Sequence, residues 1–230
     1  MGRPNHYSRE LPARCQALID RYADEVSKDA ALADRFRGPL MTTFLLAMAT
    51  PMVILPIERV YRPASGEAAS VADDQSLDPV LTQRVADTLG GGGSFGAAPF
   101  FREGVWRYVA SCDVFPVGHE WPEDRLDMLA DEAAASAARD APASDVLWAI
   151  RHSLAHGGVA YLDKDGRQRL DATNMLGFVS FVTGTKRQRL RLVRVGVEDF
   201  RSFLGLWARW LAEVGVQEAL EDPGFFQAAE

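Results

Sequence analysis

Cysteine and histidine are scarce in this chain, two and four among 230 residues. Cys15 and Cys112 stand far apart without metal-ligand spacing, so they read as free thiols in a reducing cytosol. The N-terminal text MGRPNHYSRELPARC lacks the apolar core of a signal peptide, which agrees with a cytoplasmic location. Positive charge is also short: the formal net charge is −7, which excludes a nonspecific nucleic-acid coat over the whole surface. No Gly-Lys-Ser/Thr follows the glycine-rich stretch Gly90–Gly96, so it reads as a flexible connector and not as a phosphate loop. Long apolar runs are limited to Pro39–Ile57. That run is uncharged, but it holds three Thr and two internal Pro and ends in Glu58-Arg59 without basic asymmetry. A buried central helix, kinked near Pro51 or Pro56, suits it better than a membrane span.

What remains is a soluble-type composition, 47% apolar and 25% charged, in a length that suits a single domain over residues 1–230. Periodicity predicts a helix from Arg9 to Phe36, the central run, and a short helix over Pro79–Leu89. A buried helix follows over Ala98–Ser111, then an alanine-rich amphipathic one over Glu123–Asp140. Residues 62–77 read as loop, and the tail from Asp222 as mobile. Between 158 and 195 the period changes to two, giving a small antiparallel sheet before a last helix that opens at Val197. The expected fold is mainly α, a helical bundle with a small β insert between its last two helices. In RLRLVRV, the alternation of Arg with Leu and Val predicts an apolar face on the bundle and a basic face outside. From Lys164 to Arg209 there are ten Lys and Arg against four Asp and Glu. Lys186, Arg187 and Arg189 on this stretch are candidate RNA-binding cations, or else merely a solvated hairpin.

The most informative stretch is Ser144–Gly158, SDVLWAIRHSLAHGG. Ser144 or Asp145 is suited to cap a helix, Val146, Leu147, Ile150 and Leu154 face a core, and Gly157-Gly158 end it. Arg151 and His156 lie about 140° apart around that helix. His152 and His156, at i and i+4, share a face. An imidazole in the last turn sits at the negative end of the helix dipole, which favours its cationic form. Cations at a helix end make a candidate site for a phosphodiester.

The string Arg151-His152-Ser153-Leu154-Ala155-His156 resembles the R-x(4–6)-H motif of the HEPN superfamily, with His152 as the polar residue after the Arg. The flanking text IRHSLAHGG is similar to LRNALAHGN of the plasmid-borne bacterial HEPN subfamily. Pro56-Ile57-Glu58-Arg59 resembles the corner that ends an apolar helix in that family. The resemblance implies a HEPN-like bundle and a homodimer that cleaves single-stranded RNA without metal or cofactor, leaving 2′,3′-cyclic phosphate and 5′-OH ends. It also implies a toxin or defence role, with an antitoxin or defence partner protein. His156 would be the general acid or base, Arg151 would stabilise the phosphorane, and His152 would orient Arg151 or the phosphate. Separate acid and base would require the partner chain's His156.

Three other readings fit the same residues. Arg151 could pair with a carboxylate such as Glu58 while His156 merely ends the helix. His152 and His156 have the spacing of two zinc ligands, but no Glu stands beside His152 in the HExxH pattern and no third ligand is evident. A noncatalytic HEPN-like module would use the same cations to hold RNA, a nucleotide or a protein.

Overall fold

Aspartates and prolines decide where the helices of this molecule stop. The computed structural model describes residues 6–66, 74, 78–90, 92–168 and 173–221. The tail from Asp222 and most of the predicted loop, residues 67–73 and 75–77, lie outside that set. Helix α1 (Tyr7–Lys28) ends at Asp29, whose backbone turns extended and whose Oδ1 accepts the Leu32 N–H at 2.9 Å. The cap opens a second helix, α2 (Ala30–Phe36), so the single predicted helix over 9–36 is two.

Helix α3 (Met41–Pro56) passes through a π-helical turn, Ile57–Tyr61, into the short α4 (Arg62–Ala64). Pro56 has no N–H to offer the Met52 carbonyl four residues back. Trp207 supplies one, donating its Nε1–H to Met52 O at 2.7 Å. The irregularity predicted near Pro56 is therefore a widened turn, pinned by the last helix. The run Met41–Ala64 is long and apolar enough to cross a membrane, and 44% of its apolar window is buried inside the fold. Leu45, Ala49, Met52 and Val53 recur at helical spacing in the core. Helix α5 (Pro79–Gly90) is capped by Asp78, which accepts the Leu81 N–H at 2.9 Å and pairs with Arg9 at 3.0 Å.

The predicted helix over 98–111 is absent; a turn of 3₁₀ helix at Phe95–Ala97 precedes that stretch, and its second half belongs to a strand, β1 (Trp106–Asp113). Both faces of this strand are covered, so its apolar residues do not alternate with polar ones, and the run is indistinguishable from a buried helix by period. The glycine stretch before it is not a loose tether where it is described. Phe95 N donates to Ala141 O at 2.7 Å, and a Cβ on Gly96 would lie 2.4 Å from Arg139 Cγ. Helices α6 (Glu123–Ala130) and α7 (Glu132–Asp140) replace the single alanine-rich helix. They are divided at Asp131, which caps the second through the Ala133 N–H at 2.8 Å. Helix α8 (Ala143–His156) carries the motif. Strands β2 (Val159–Leu162), β3 (Met175–Phe181) and β4 (Arg189–Gly196) and helix α9 (Val197–Glu221) complete the fold.

The four strands form one antiparallel sheet in the order β1-β4-β3-β2. The sheet is thus not confined to an insert over 158–195, since β1 precedes the motif helix by three elements. Its bundle face places Trp106, Phe178, Val193 and Val195 against Phe200, Phe203 and Trp207 of α9. Its other face buries Val109, Cys112, Leu190 and Leu192 against Trp121, Leu126 and Leu129. The predicted basic outer face of β4 does not exist, because a second layer lies over it. Arg191 and Arg194 are each only 9% exposed, on opposite faces of the strand. Arg191 pairs with Asp145 at 3.0 Å, and Arg194 donates to the Leu129 carbonyl at the end of α6, at 2.8 Å. Burial, reinforced by Arg107 nearby, lowers the Arg194 pKa. Cys15 and Cys112 are free and buried, and burial pushes both thiols up. The molecule is mainly α, with a two-faced sheet at its side.

Candidate functional site at the end of the motif helix

Helix α8 starts one residue earlier than Ser144, after Pro142, and no side chain caps it. Asp145 is in its first turn and serves Arg191 instead. The other end is anchored tightly. Ser153 is fully buried, and its hydroxyl lies 2.6 Å from Ala149 O and 2.9 Å from Val179 O of β3. Gly157 adopts φ 73°, the left-handed turn that glycine takes without strain, and donates to Ser153 O. A Cβ on Gly158 would meet Val179 O at 2.3 Å, so only glycine fits where the helix leaves for β2. These contacts fix the direction in which the last turn of α8, with His156, projects from the sheet.

Arg151 emerges from this turn into a cage. Its Nη2 is ion-paired with Glu58 Oε1 in the π-helical turn, and its guanidinium lies 5.1 Å from the centre of the Trp148 ring. Glu58 also holds Arg62 through Oε2 at 2.7 Å, and Arg62 approaches the same indole at 5.7 Å. One carboxylate is thus shared by two guanidiniums. The Arg151 side chain is 13% exposed, and its Nε has no hydrogen-bond partner among the described residues. The pairing of Arg151 with Glu58 weighed from the sequence is therefore present. The π turn aims Glu58 at α8, and such turns are frequent at functional sites.

His152 and His156 meet as the i, i+4 spacing requires, with ring centroids 4.4 Å apart and planes tilted by 46°. His156 is exposed and His152 half-buried. Burial pushes the His152 pKa down, and the charges of His156 and Arg151 push it the same way. These effects favour the neutral form of His152. Among the described residues, no third His, Cys, Asp or Glu joins the pair in a group that could hold a metal ion.

Arg151, His152 and His156 thus form one electrostatic group. The predicted RNA-binding cations do not join it. Lys186 is exposed in the β3–β4 hairpin. Arg187 lies 3.8 Å from Asp113, and Arg189 pairs with Asp113 at 2.5 Å and with Ser111 Oγ at 3.0 Å. Among the described residues, no hydrogen bond or ion pair links these three to the motif. His119 sits exposed in a turn, as a lone loop histidine usually does. Trp148 and Arg62 went unnoticed in the sequence. The signals were present, since Trp148 is three residues before Arg151 and Arg62 is four after Glu58. No family model, curated protein or solved structure matches this chain.

Proposed function

We propose that this protein is a metal-independent endoribonuclease of HEPN type. On this reading it is a cytoplasmic homodimer of HEPN-like bundles that cuts single-stranded RNA to 2′,3′-cyclic phosphate and 5′-OH ends. The observation that carries the reading is the joint placement of a caged Arg151 and the contacting pair His152–His156 at one helix end. Exposed His156 removes the 2′-OH proton or delivers one to the leaving 5′-oxygen, the two roles an imidazole fills in general acid–base catalysis. His152, its neutral form favoured, accepts or orients beside it. Arg151, stiffened by Glu58 and Trp148, supplies N–H donors to the phosphorane from a position that costs little reorganisation. One chain brings one exposed His156, so the opposite proton transfer falls to the partner's copy. A toxin or defence role, with an antitoxin or defence partner, follows from the resemblance alone.

The Arg151–Glu58 pair also favours a second reading, a noncatalytic module that binds RNA, a nucleotide or a protein through the histidines alone. In that case Arg151 has a structural partner already and no chemical duty. Cleavage of fluorescent single-stranded RNA in EDTA separates the two, using wild type, Arg151→Ala and His156→Ala with light scattering for fold and association state. Loss of cutting in both folded variants supports the nuclease. RNA binding without cutting in all three supports the module.

A further inference from the structure

Tyr161 lies five residues beyond His156, on β2, and its ring is 41% exposed. It is the meeting point of three cavities. One, of about 380 Å³, runs along Ala47 and Thr50 of α3 past Ser153 and Gly157, the residue that follows His156 in the chain. Another, of about 340 Å³, lies between Gly157, Val117 and Gln168. The largest of the three, about 530 Å³, is lined by Tyr161 together with Phe36, Arg37, Thr42, Asn174 and Glu198. Tyr161 therefore borders both the two cavities at Gly157, the residue after His156, and a cleft large enough for a nucleoside.

The lining of that cleft is unusual for this surface. Two of its residues, Phe36 at 54% and Tyr161 at 41%, are among the few large apolar side chains left exposed. Arg37 beside them is exposed in a left-handed backbone conformation, φ 60°, the one non-glycine residue among those described with positive φ. Asn174, Thr42 and Glu198 add donors and acceptors at the same cleft. Exposed rings, a guanidinium and mixed polar groups in one concavity are what an unstacked nucleobase and its phosphate require: a ring to stack on, a cation for charge and edges to hydrogen-bond. A purely structural tyrosine on an edge strand would have no reason to border three cavities with its ring bare.

We infer that Tyr161 is the stacking platform of a nucleotide subsite, in which a base flanking the scissile phosphate of single-stranded RNA leaves the strand and enters the Phe36–Arg37–Asn174 cleft. This rests on the ribonuclease reading for its substrate, and it adds the residue that holds the neighbouring nucleotide in register with His156. Arg37 neutralises that nucleotide's phosphate. Tyr161 is a binding and positioning residue; it takes no part in proton transfer.

The test is fluorescence anisotropy of a labelled single-stranded RNA on full-length protein, with cleavage followed in parallel. The variants are Tyr161→Ala, Tyr161→Phe and Arg37→Gly, the last removing the cation while suiting the left-handed backbone. Circular dichroism confirms the fold of each. Tyr161→Ala is expected to weaken binding roughly tenfold, Tyr161→Phe to restore it, and Arg37→Gly to weaken it with a shallower salt dependence. If wild type binds but does not cut, and Tyr161→Ala still weakens binding, the nuclease reading falls and the subsite stands. If Tyr161→Ala binds like wild type, if Tyr161→Phe is as weak as Tyr161→Ala, or if wild type binds no RNA, the subsite is overturned.

Discussion

Glu58 and Arg59 are neighbours in one π-helical turn, yet they anchor two ion-pair networks of opposite character. Arg59 points to Asp74, a carboxylate that is fully buried on its side-chain atoms. Asp74 receives Arg59 Nη2 at 2.6 Å, Arg59 Nε at 2.9 Å and Ser8 Oγ at 2.6 Å, and its backbone N–H returns to Arg59 O at 2.9 Å. Every oxygen there is engaged. Glu58 instead shares itself between Arg62 and Arg151, leaves Arg151 Nε without a hydrogen bond, and so holds a guanidinium whose charge acts on the half-buried His152. A closed network ties α1 to the end of the central helix and has nothing left to offer a ligand. An open one keeps a guanidinium rigid but unfinished, and a phosphate would complete it.

The difference can be broken at either side, and the largest effect belongs to the closed one. Asp74→Ala leaves the half-buried Arg59 guanidinium and the Ser8 hydroxyl without their carboxylate and should cost about 3 kcal/mol in urea unfolding. Cutting of RNA by the protein that remains folded should be unchanged. Glu58→Gln should do the reverse. Its stability loss should stay near 1 kcal/mol, while kcat for RNA cleavage falls about tenfold because Arg151 is no longer held in place. RNA affinity should not fall, since a negative charge has been removed from the site. Ser8→Ala removes one of the hydrogen bonds to Asp74 and should cost about 1 kcal/mol in the same unfolding assay. An equal loss of activity from Ser8→Ala and Glu58→Gln would erase the distinction.

Acid separates the two networks more gently. Burial works against the Asp74 carboxylate, but the hydrogen bonds from Arg59 and Ser8 outweigh it and hold its pKa below the usual range. The stability it contributes is present above the ordinary carboxylate value of about 3.9 and fades as the pH falls through the lowered one. His152 has its pKa depressed from 6.5, mainly by burial. The unfolded chain therefore binds the proton first. The His152 contribution is intact above about 6.5 and is lost as the pH drops through the folded value. Unfolding curves at stepped pH should show a small loss just below neutrality that His152→Gln abolishes, and a later one that it leaves alone.

How far the sequence anticipated this depends on the kind of signal. The motif helix was legible because its apolar residues keep the 3.6 period and Gly157-Gly158 ends it; the histidine contact followed from i, i+4 spacing, and Glu58 was available as a partner for Arg151. Strand β1 was not legible, because it buries residues on both faces, Trp106 and Tyr108 on one side and Val109 and Cys112 on the other, which breaks the strict alternation that marks a half-buried strand. The same second layer hid the fate of Arg191 and Arg194, whose alternation with Leu and Val looked like a solvated edge. Breaks at Asp29 and Asp131 were missed because an aspartate within an amphipathic run looks like a polar-face residue until its carboxylate is seen capping the next helix. The cleft at Tyr161 brings together residues from α2, α3, β2 and the start of α9, and no local pattern announces such a gathering.

The central claim is that the end of α8 performs the cleavage. The most direct measurement is the chemistry of the RNA ends after incubation in EDTA with wild type and with folded His156→Ala, read by mass spectrometry. Wild type is expected to yield 2′,3′-cyclic phosphate and 5′-OH termini and His156→Ala to leave the RNA whole. Intact RNA with wild type, or the same products from both proteins, would contradict it.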